Sequence, residues 1–368
     1  MSSPADILSW LQAAGAAYGE NKPGAREQLI DLSHALISSL ELPSESIQRI
    51  GWAEPARAAH CRLGVELRLF EHIKQSGAGG ISAKELATKP RTLKHLAATY
   101  TVAESGPDTY SSTTLSDALT EPRYRDGIIY TYDVAGPCFR VLPEYLKSIN
   151  YALQTELHHS SFQLAHKTEL PFFAWLASNP PYMEKFSSYM SAYRAGKPSW
   201  ADPGFYPIAD RLTQMFDSKS SEVLLVDVGG GTGHDLKELK EKHPSLPGKL
   251  ILQDQPDVIS TPIKHARAYH LHSVLHDWGD DDCVKILEQL KLALKPGYST
   301  VLLNELIVPS QNAPWPITSM DQLVFVLGSM KERTQKDWEA LLKRAGYKIA
   351  KVYSYEMGNE SLIEAEPV

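Results

Sequence analysis

The chain has 368 residues, long enough for two domains that each bury a core. Hydrophobic content of 43%, charged content of 22% and a formal charge of -7 fit an ordinary globular protein. They argue against a nucleic-acid partner or an anionic membrane surface. Cys61, Cys138 and Cys283 stand far apart, in no pairing or ligand spacing, which suits a reducing compartment. The N-terminal MSSPADILSWLQAAG has no basic region ahead of its apolar residues, and no run of about eighteen apolar residues occurs after it. Neither a signal peptide nor a membrane span is expected, and a cytoplasmic location is the default.

Residues 4–40 carry Ile7, Leu8, Leu11 and then Leu29, Ile30, Leu32, Leu36 and Ile37 at helical spacing, interrupted at Asn21–Gly24. Residues 54–74 predict one further helix, starting near Pro55 and stopping before Ser76-Gly77. Ser82 with Glu85 three residues on is a capping box, and two short helices followed by TYSST predict a winged-helix module within residues 1–150. Lys84, Lys89, Arg91 and Lys94 make that module locally basic, but no Arg/Lys-rich arm follows and the chain is acidic, so DNA binding is set aside. From 139 to 200 the chain is helical and aromatic-rich, its 151–205 part forming a linker. Most of these aromatics read as core; a sharper reading lets Trp175, Met183, Phe186 and Met190 line an apolar pocket for a flat substrate.

After GKPSWADPGFYP the pattern alternates, which defines a third segment, 206–368. Strands are predicted at 223–228, 249–254, 267–275 and 300–308. Helices are predicted up to 242, over 280–295 and in QKDWEALLKRAGY, and KIAKVYSYE and SLIEAEPV close as strands. The fold class is α/β, a parallel sheet with an antiparallel finish.

Asp227-Val-Gly229-Gly230-Gly231-Thr-Gly233 leaves the first strand and opens a helix, whose free N–H groups and permissive glycines allow close approach of a ligand. Asp254 ends the next strand, where an acid accepts ribose hydroxyls. The loop is out of dinucleotide register, and Asp227 suits an ammonium group rather than a pyrophosphate.

With LHSVLHDWGDDDC (271–283), NELIVP (304–309) and KERT (331–334) added, the chain resembles the plant and fungal caffeic-acid-type O-methyltransferases, and most of all the fungal secondary-metabolism branch. The likeness runs nearly end to end. It implies a Rossmann-like domain that binds S-adenosylmethionine, an N-terminal helical, winged-helix domain that forms a homodimer, an aromatic small-molecule substrate, and no metal. It also implies His276 as general base, flanked by Glu305 and Glu332, with Asp227, Gly229, Gly230, Gly231 and Asp254 on the cofactor. His272, four residues before the base, falls where the family often has a cofactor-contacting basic residue. Without the resemblance, His276 would read as a structural histidine capping the next helix, and Asp280, Asp281 and Asp282 read as acids at a helix start.

The chain departs from the family pattern between Asp254 and Ala268, where only QPDVISTPIKHAR intervenes. A crossover between parallel strands takes at least about ten to twelve residues, and two such steps do not fit in these thirteen, so a helix, a third strand and an adenine-contacting turn are expected to be absent. The expectation is a sheet with its third strand deleted and one wall of the adenine pocket missing. A smaller shortening is expected at ATKPRTLKHLAATY. Two alternatives to methylation stand beside the main reading: a methyltransferase-fold enzyme of pericyclic or dehydrative chemistry, and a catalytically impaired homologue acting as a dimer partner.

Overall fold

The apolar spacing of residues 4–40 becomes two helices, Pro4–Gly19 and Ala25–Leu40, in the computed structural model, which describes residues 3–86, 90–152, 159–254, 263–355 and 359–368. The chain divides into two units: Met1–Pro137 with Leu176–Arg194, and Cys138–Trp175 with Ala195–Val368.

In the first unit, the single helix expected over 54–74 is two, Glu54–Glu66 and Leu69–Gln75. Arg68 takes a left-handed φ of 55° between them, a conformation that no periodicity of apolar residues reveals. Leu69, Phe70 and Ile73 then pack with Leu93, Leu96 and Tyr110 into this unit's core. The Ser82 capping box forms: Glu85 N–H donates to Ser82 Oγ at 3.2 Å, and Ser82 N–H donates to the Glu85 carboxylate at 2.9 Å. Residues 83–86 form a turn rather than the expected helix, helix Pro90–Ala98 follows, and only residues 87–89 of the stretch expected to be shortened lie outside the described residues. Three short antiparallel strands, Ile81–Ser82, Ala103–Gly106 and Thr109–Ser111, form a small sheet. Helix Tyr182–Met190 packs on helix Pro122–Tyr130, and the Tyr189 ring takes the space beside Gly127, where a Cβ would stand 2.5 Å away. Among the described residues no helix is long and apolar enough to cross a membrane.

The second unit is built on a six-stranded sheet: β1 Val223–Val228, β2 Lys249–Gln253, β3 Ala268–His272, β4 Thr300–Glu305, β5 Tyr347–Ser354 and β6 Ser361–Pro367. Their spatial order is β5-β6-β4-β3-β1-β2, parallel from β2 to β4 and antiparallel at β6 and β5. Every residue of β1 and β4 is buried, as expected for strands covered on both faces. One face packs Val226, Leu271 and Leu303 against Leu287, Trp338 and Leu341 of helices Asp280–Lys291 and Gln335–Arg344. The other packs Leu224, Ala268 and Leu302 against Trp200, Tyr206 and Leu212. The chain reverses strand order at β1, so the carboxyl ends of β1 and β3 open a crevice of the kind in which such sheets bind ligands.

Two expectations need correction here. The strand expected at 300–308 ends at Glu305, and Ile307–Val308 pairs separately, in parallel, with Arg333–Thr334. The strand expected at 267–275 stops at His272, and Leu275–Asp277 is a 3-10 turn. Helix Trp315–Gly328 carries no prediction from the sequence, where Pro314 and Pro316 obscure its start. Among the described residues β2 is the last strand on its side of the sheet. Of the residues between Asp254 and Ala268, on which the expected deletion falls, 255–262 lie outside the described residues.

Leu303 is fully buried at the centre of β4. Leu303→Ala is expected to cost about 2–5 kcal/mol of unfolding free energy, from lost burial plus the cavity left behind. Denaturant unfolding checks it as a lower midpoint with an unchanged slope.

Candidate active site

The carboxyl ends of β3 and β4 position the site. After His272 the chain leaves the sheet, and the 3-10 turn Leu275–Asp277 places His276 beside the short parallel pair Ile307–Val308 and Arg333–Thr334. His276 Nδ1 lies 2.8 Å from Glu332 Oε1, and Glu332 itself has its N–H donating to Asp321 Oδ1 at 2.9 Å. Glu305, fully buried at the end of β4, does not bond the imidazole. Its Oε1 accepts from the N–H groups of Val274 and Leu275 at 3.2 and 2.9 Å, holding the turn from below. A ring nitrogen of His276 and one carboxylate oxygen each of Glu305 and Glu332 nevertheless lie within 4.8 Å of one another. One oxygen each of Glu305 and Glu332 is buried without a hydrogen-bond partner. The structure therefore brings the three expected residues together, and it separates their contacts: Glu332 on the ring, Glu305 on the backbone.

Asp277, which the sequence pattern did not single out, adds a third carboxylate, 3.4 Å from His276 Nε2. Burial works against charge on His276, but Asp277 and Glu332 outweigh it and hold the imidazole pKa well above its ordinary value of 6.5. Burial likewise pushes Asp277 up to about 6 and Glu305 up to about 7. The neighbouring acids Asp280, Asp281 and Asp282 do not converge: Asp280 pairs with Lys331 and Arg333, Asp281 with Arg344, Asp282 with Lys285. They start helix Asp280–Lys291, where acids oppose the positive dipole end.

Across the crevice stands the glycine loop. Gly229, Gly231 and Gly233 all take positive φ, and Gly231 N–H donates to Asp254 Oδ2 at 2.7 Å. Gly230 is where no side chain fits, since a Cβ would stand 2.2 Å from Asp227 Oδ2 and 2.7 Å from Leu252. Asp227 is fully buried; its Oδ1 lies 3.0 Å from His270 Nδ1, in register across β1 and β3, and its Oδ2 has no partner. His270 in turn stacks on Trp200, ring centroids 4.7 Å apart.

His272 sits between two carboxylates. Nδ1 is 2.6 Å from Asp235 and Nε2 is 2.9 Å from Glu360, which also accepts from Asn304 at 2.9 Å. Burial opposes its charge, but Glu360 and Asp235 raise it to about 10, so the ring is an imidazolium at neutral pH. Asp235, Glu360 and Asn304 went unnoticed in the sequence because their partners lie up to 88 residues away. The expected pocket residues fall in different units. Trp175 belongs to the second, edge-on to Phe162 at 5.4 Å; Met183, Phe186 and Met190 lie on the Tyr182–Met190 helix of the first, with Phe186 edge-on to Tyr130 at 5.3 Å.

A sheet with a glycine loop at its switch point and a histidine–carboxylate cluster on the adjacent turn defines an enzyme of the methyltransferase class. A family model for the O-methyltransferase domain matches residues 257–348. The chain is 44% identical to the O-methyltransferase mpaG' of Penicillium brevicompactum, with 99% of both chains covered. It is 30% identical to the demethylsterigmatocystin 6-O-methyltransferase of Aspergillus parasiticus over 85% of this chain and 86% of that one. The chain belongs to the S-adenosylmethionine-dependent O-methyltransferase family, in company with fungal members. The mpaG' alignment spans 396 positions, more than this chain's 368 residues, so that relative carries segments missing here. Two solved structures share the fold at 24% identity and a TM-score of 0.89: a pericyclic reaction enzyme, with 99% of both chains covered, and LepI in complex with SAM, covering 99% of this chain and 98% of that one.

Proton NMR titration of the imidazole signals should show His276 titrating above 6.5. Glu332→Gln removes a carboxylate that favours the imidazolium, so its titration should move to lower pH. An unmoved titration in that variant would mean that Glu332 does not set the charge of the ring.

Proposed function

We propose that the protein methylates a phenolic hydroxyl of a small, polyketide-like aromatic metabolite, with His276 accepting the hydroxyl proton. The observation that carries this reading is the 2.8 Å bond between His276 Nδ1 and buried Glu332, which fixes the ring, so that Nε2, with Asp277 beside it at 3.4 Å, is the nitrogen that takes the proton. A phenol has a pKa near 10 and free imidazole about 6.5. The raised pKa of His276 narrows that gap and makes the proton transfer less uphill. The same shift demands a higher pH to keep the ring neutral before it accepts the proton. Glu332 then stabilises the imidazolium that forms, while Glu305 keeps the turn in place through Val274 and Leu275.

S-adenosylmethionine, when bound, supplies the methyl group as a sulfonium. The residues present fit it: Asp227 Oδ2 is a buried acceptor without a partner, Gly229 and Gly231 hold the loop open at positive φ, and Asp254 follows β2 where ribose hydroxyls are taken. Asp227, Gly229, Gly230, Gly231 and Asp254 would hold its methionine and ribose parts. We assign His272 to the shell behind them, because both its ring nitrogens already face carboxylates. The adenine side would be shortened between Asp254 and Ala268, where the sequence leaves too few residues for a further strand with its two crossovers. Trp175, in the same unit as His276, would supply apolar surface for the substrate. A shared fold with a pericyclic reaction enzyme carries no chemistry by itself, whereas the His276–Glu332 pair is built for proton removal.

The protein works as a homodimer joined through a winged-helix N-terminal domain. Trp10, Leu40, Leu42, Ile47, Ile50 and Trp52 are all exposed along its first helices, large apolar side chains of the kind a subunit contact covers. Sedimentation should give a dimer, and Trp10→Glu combined with Trp52→Glu should give a monomer.

Two activity tests bear on the chemistry. His276→Ala should lower kcat for transfer of radiolabelled methyl to a phenol panel by roughly 10²–10⁴-fold. It should leave the calorimetric affinity for S-adenosylmethionine unchanged within about twofold, and full activity in this variant would overturn the assignment. Gly230→Ala should instead weaken that affinity by about tenfold or more, a loss of at least ~1.4 kcal/mol.

A further inference from the structure

We propose that Arg333 is a positioning residue for the reaction: its buried guanidinium clamps both ends of the turn that carries His276 and supplies the fixed positive charge among the acids there. This rests on the assignment of His276 as the base.

Arg333 is fully buried. Its Nη1 donates to the Leu275 carbonyl at 2.8 Å and its Nη2 to the Trp278 carbonyl at 2.9 Å, so the two residues that bracket His276-Asp277 are tied to one rigid group. The planar fork is held in turn by Asp280 Oδ1, 3.0 Å from Nε and 2.8 Å from Nη2, and by the Trp338 ring, whose centroid is 5.3 Å away. Its backbone is fixed by pairing with Ile307, two residues past Glu305. Residues 331–333 thus all grip the turn: Lys331 N–H donates to the His276 carbonyl at 3.4 Å, Glu332 holds the ring, and Arg333 holds the flanking carbonyls.

A lysine cannot reproduce this, since one ammonium does not span two carbonyls and a carboxylate in a plane. The groups that face His276 are Asp277 beside it, Glu332 on the strand pair and Glu305 at the end of β4. Behind them stand Asp280 with Lys331 and Arg333. Arg333 is buried while Lys331 is about one-third exposed, so Arg333 is the cation that water screens least.

The test separates position from charge. Arg333→Lys keeps the charge and loses the clamp: kcat per cofactor-binding site should fall by roughly 10–100-fold with KM for S-adenosylmethionine within about twofold, because small misplacements at the reacting centre act on rate. The acid limb of its pH–rate profile should stay where it is. Arg333→Gln loses both, and without the cation the imidazolium is favoured, so its acid limb should move to higher pH as kcat falls. A residue that served folding alone would reduce the number of active sites and leave kcat per site and the pH profile alone. If Arg333→Gln does not fold, Arg333→Lys and Asp280→Asn, which loosens the fork, decide. Wild-type kcat per site in both, alongside an inactive His276→Ala, overturns this inference alone. A fully active His276→Ala removes the assignment beneath it.

Discussion

The contact between His276 and Glu332 places heavy demands on its surroundings. The base proposed here would alternate between neutral and charged inside a region crowded with Asp277, Glu305 and Glu332, and for that it needs its ring held at one nitrogen and its carboxylates held apart. The fold meets this with backbone rather than with side chains alone. Glu305 is spent on the N–H groups of Val274 and Leu275, and the carbonyls of Leu275 and Trp278 are taken by Arg333. Val274, Leu275 and Trp278 are therefore fixed from two directions, by the end of β4 and by the strand pair at Arg333–Thr334. Leaving any of these buried charges without its partner costs more than the pair itself contributes, which is why the cluster behaves as a unit.

The cofactor side depends on the same sheet through a second buried network. Asp235 opens the helix behind the glycine loop, His272 ends β3, Asn304 lies in β4 and Glu360 leads into β6. The imidazolium of His272 joins the first and last of these and so ties the loop to strands that carry the base-side turn. Burial opposes the charge of Asp235, and His272 overrides it and lowers its pKa. Three residues separate His272 from His276, which makes one short stretch of chain the link between the two halves of the site.

How much of this was legible in the sequence depends on range. The glycine loop with Asp227, the terminal acid Asp254 and the histidine turn are local signatures, because the conformations they require, positive φ at Gly229 and Gly231 or a tight exit from a strand, are written in adjacent residues. The alternation of buried strands and amphipathic helices was equally readable. Arg333 was not: its value lies in carbonyls 55 and 58 residues earlier, which no pattern in KERT announces. The break at Arg68 and the division of 300–308 at Leu306 were missed for the related reason that apolar periodicity continues across both. Glu305 and Glu332 were placed beside the base as equals, and only the register of β4 against the turn shows that one binds the ring and the other the backbone.

The central claim is that His276 Nε2 faces the hydroxyl to be methylated. A crystal structure of the ternary complex with S-adenosylhomocysteine and a phenolic acceptor tests it most directly. The account predicts an acceptor oxygen about 2.6–3.2 Å from His276 Nε2 with the Glu332 bond to Nδ1 intact. An acceptor bound in the crevice with its hydroxyl away from His276, or a ring released from Glu332, would contradict it.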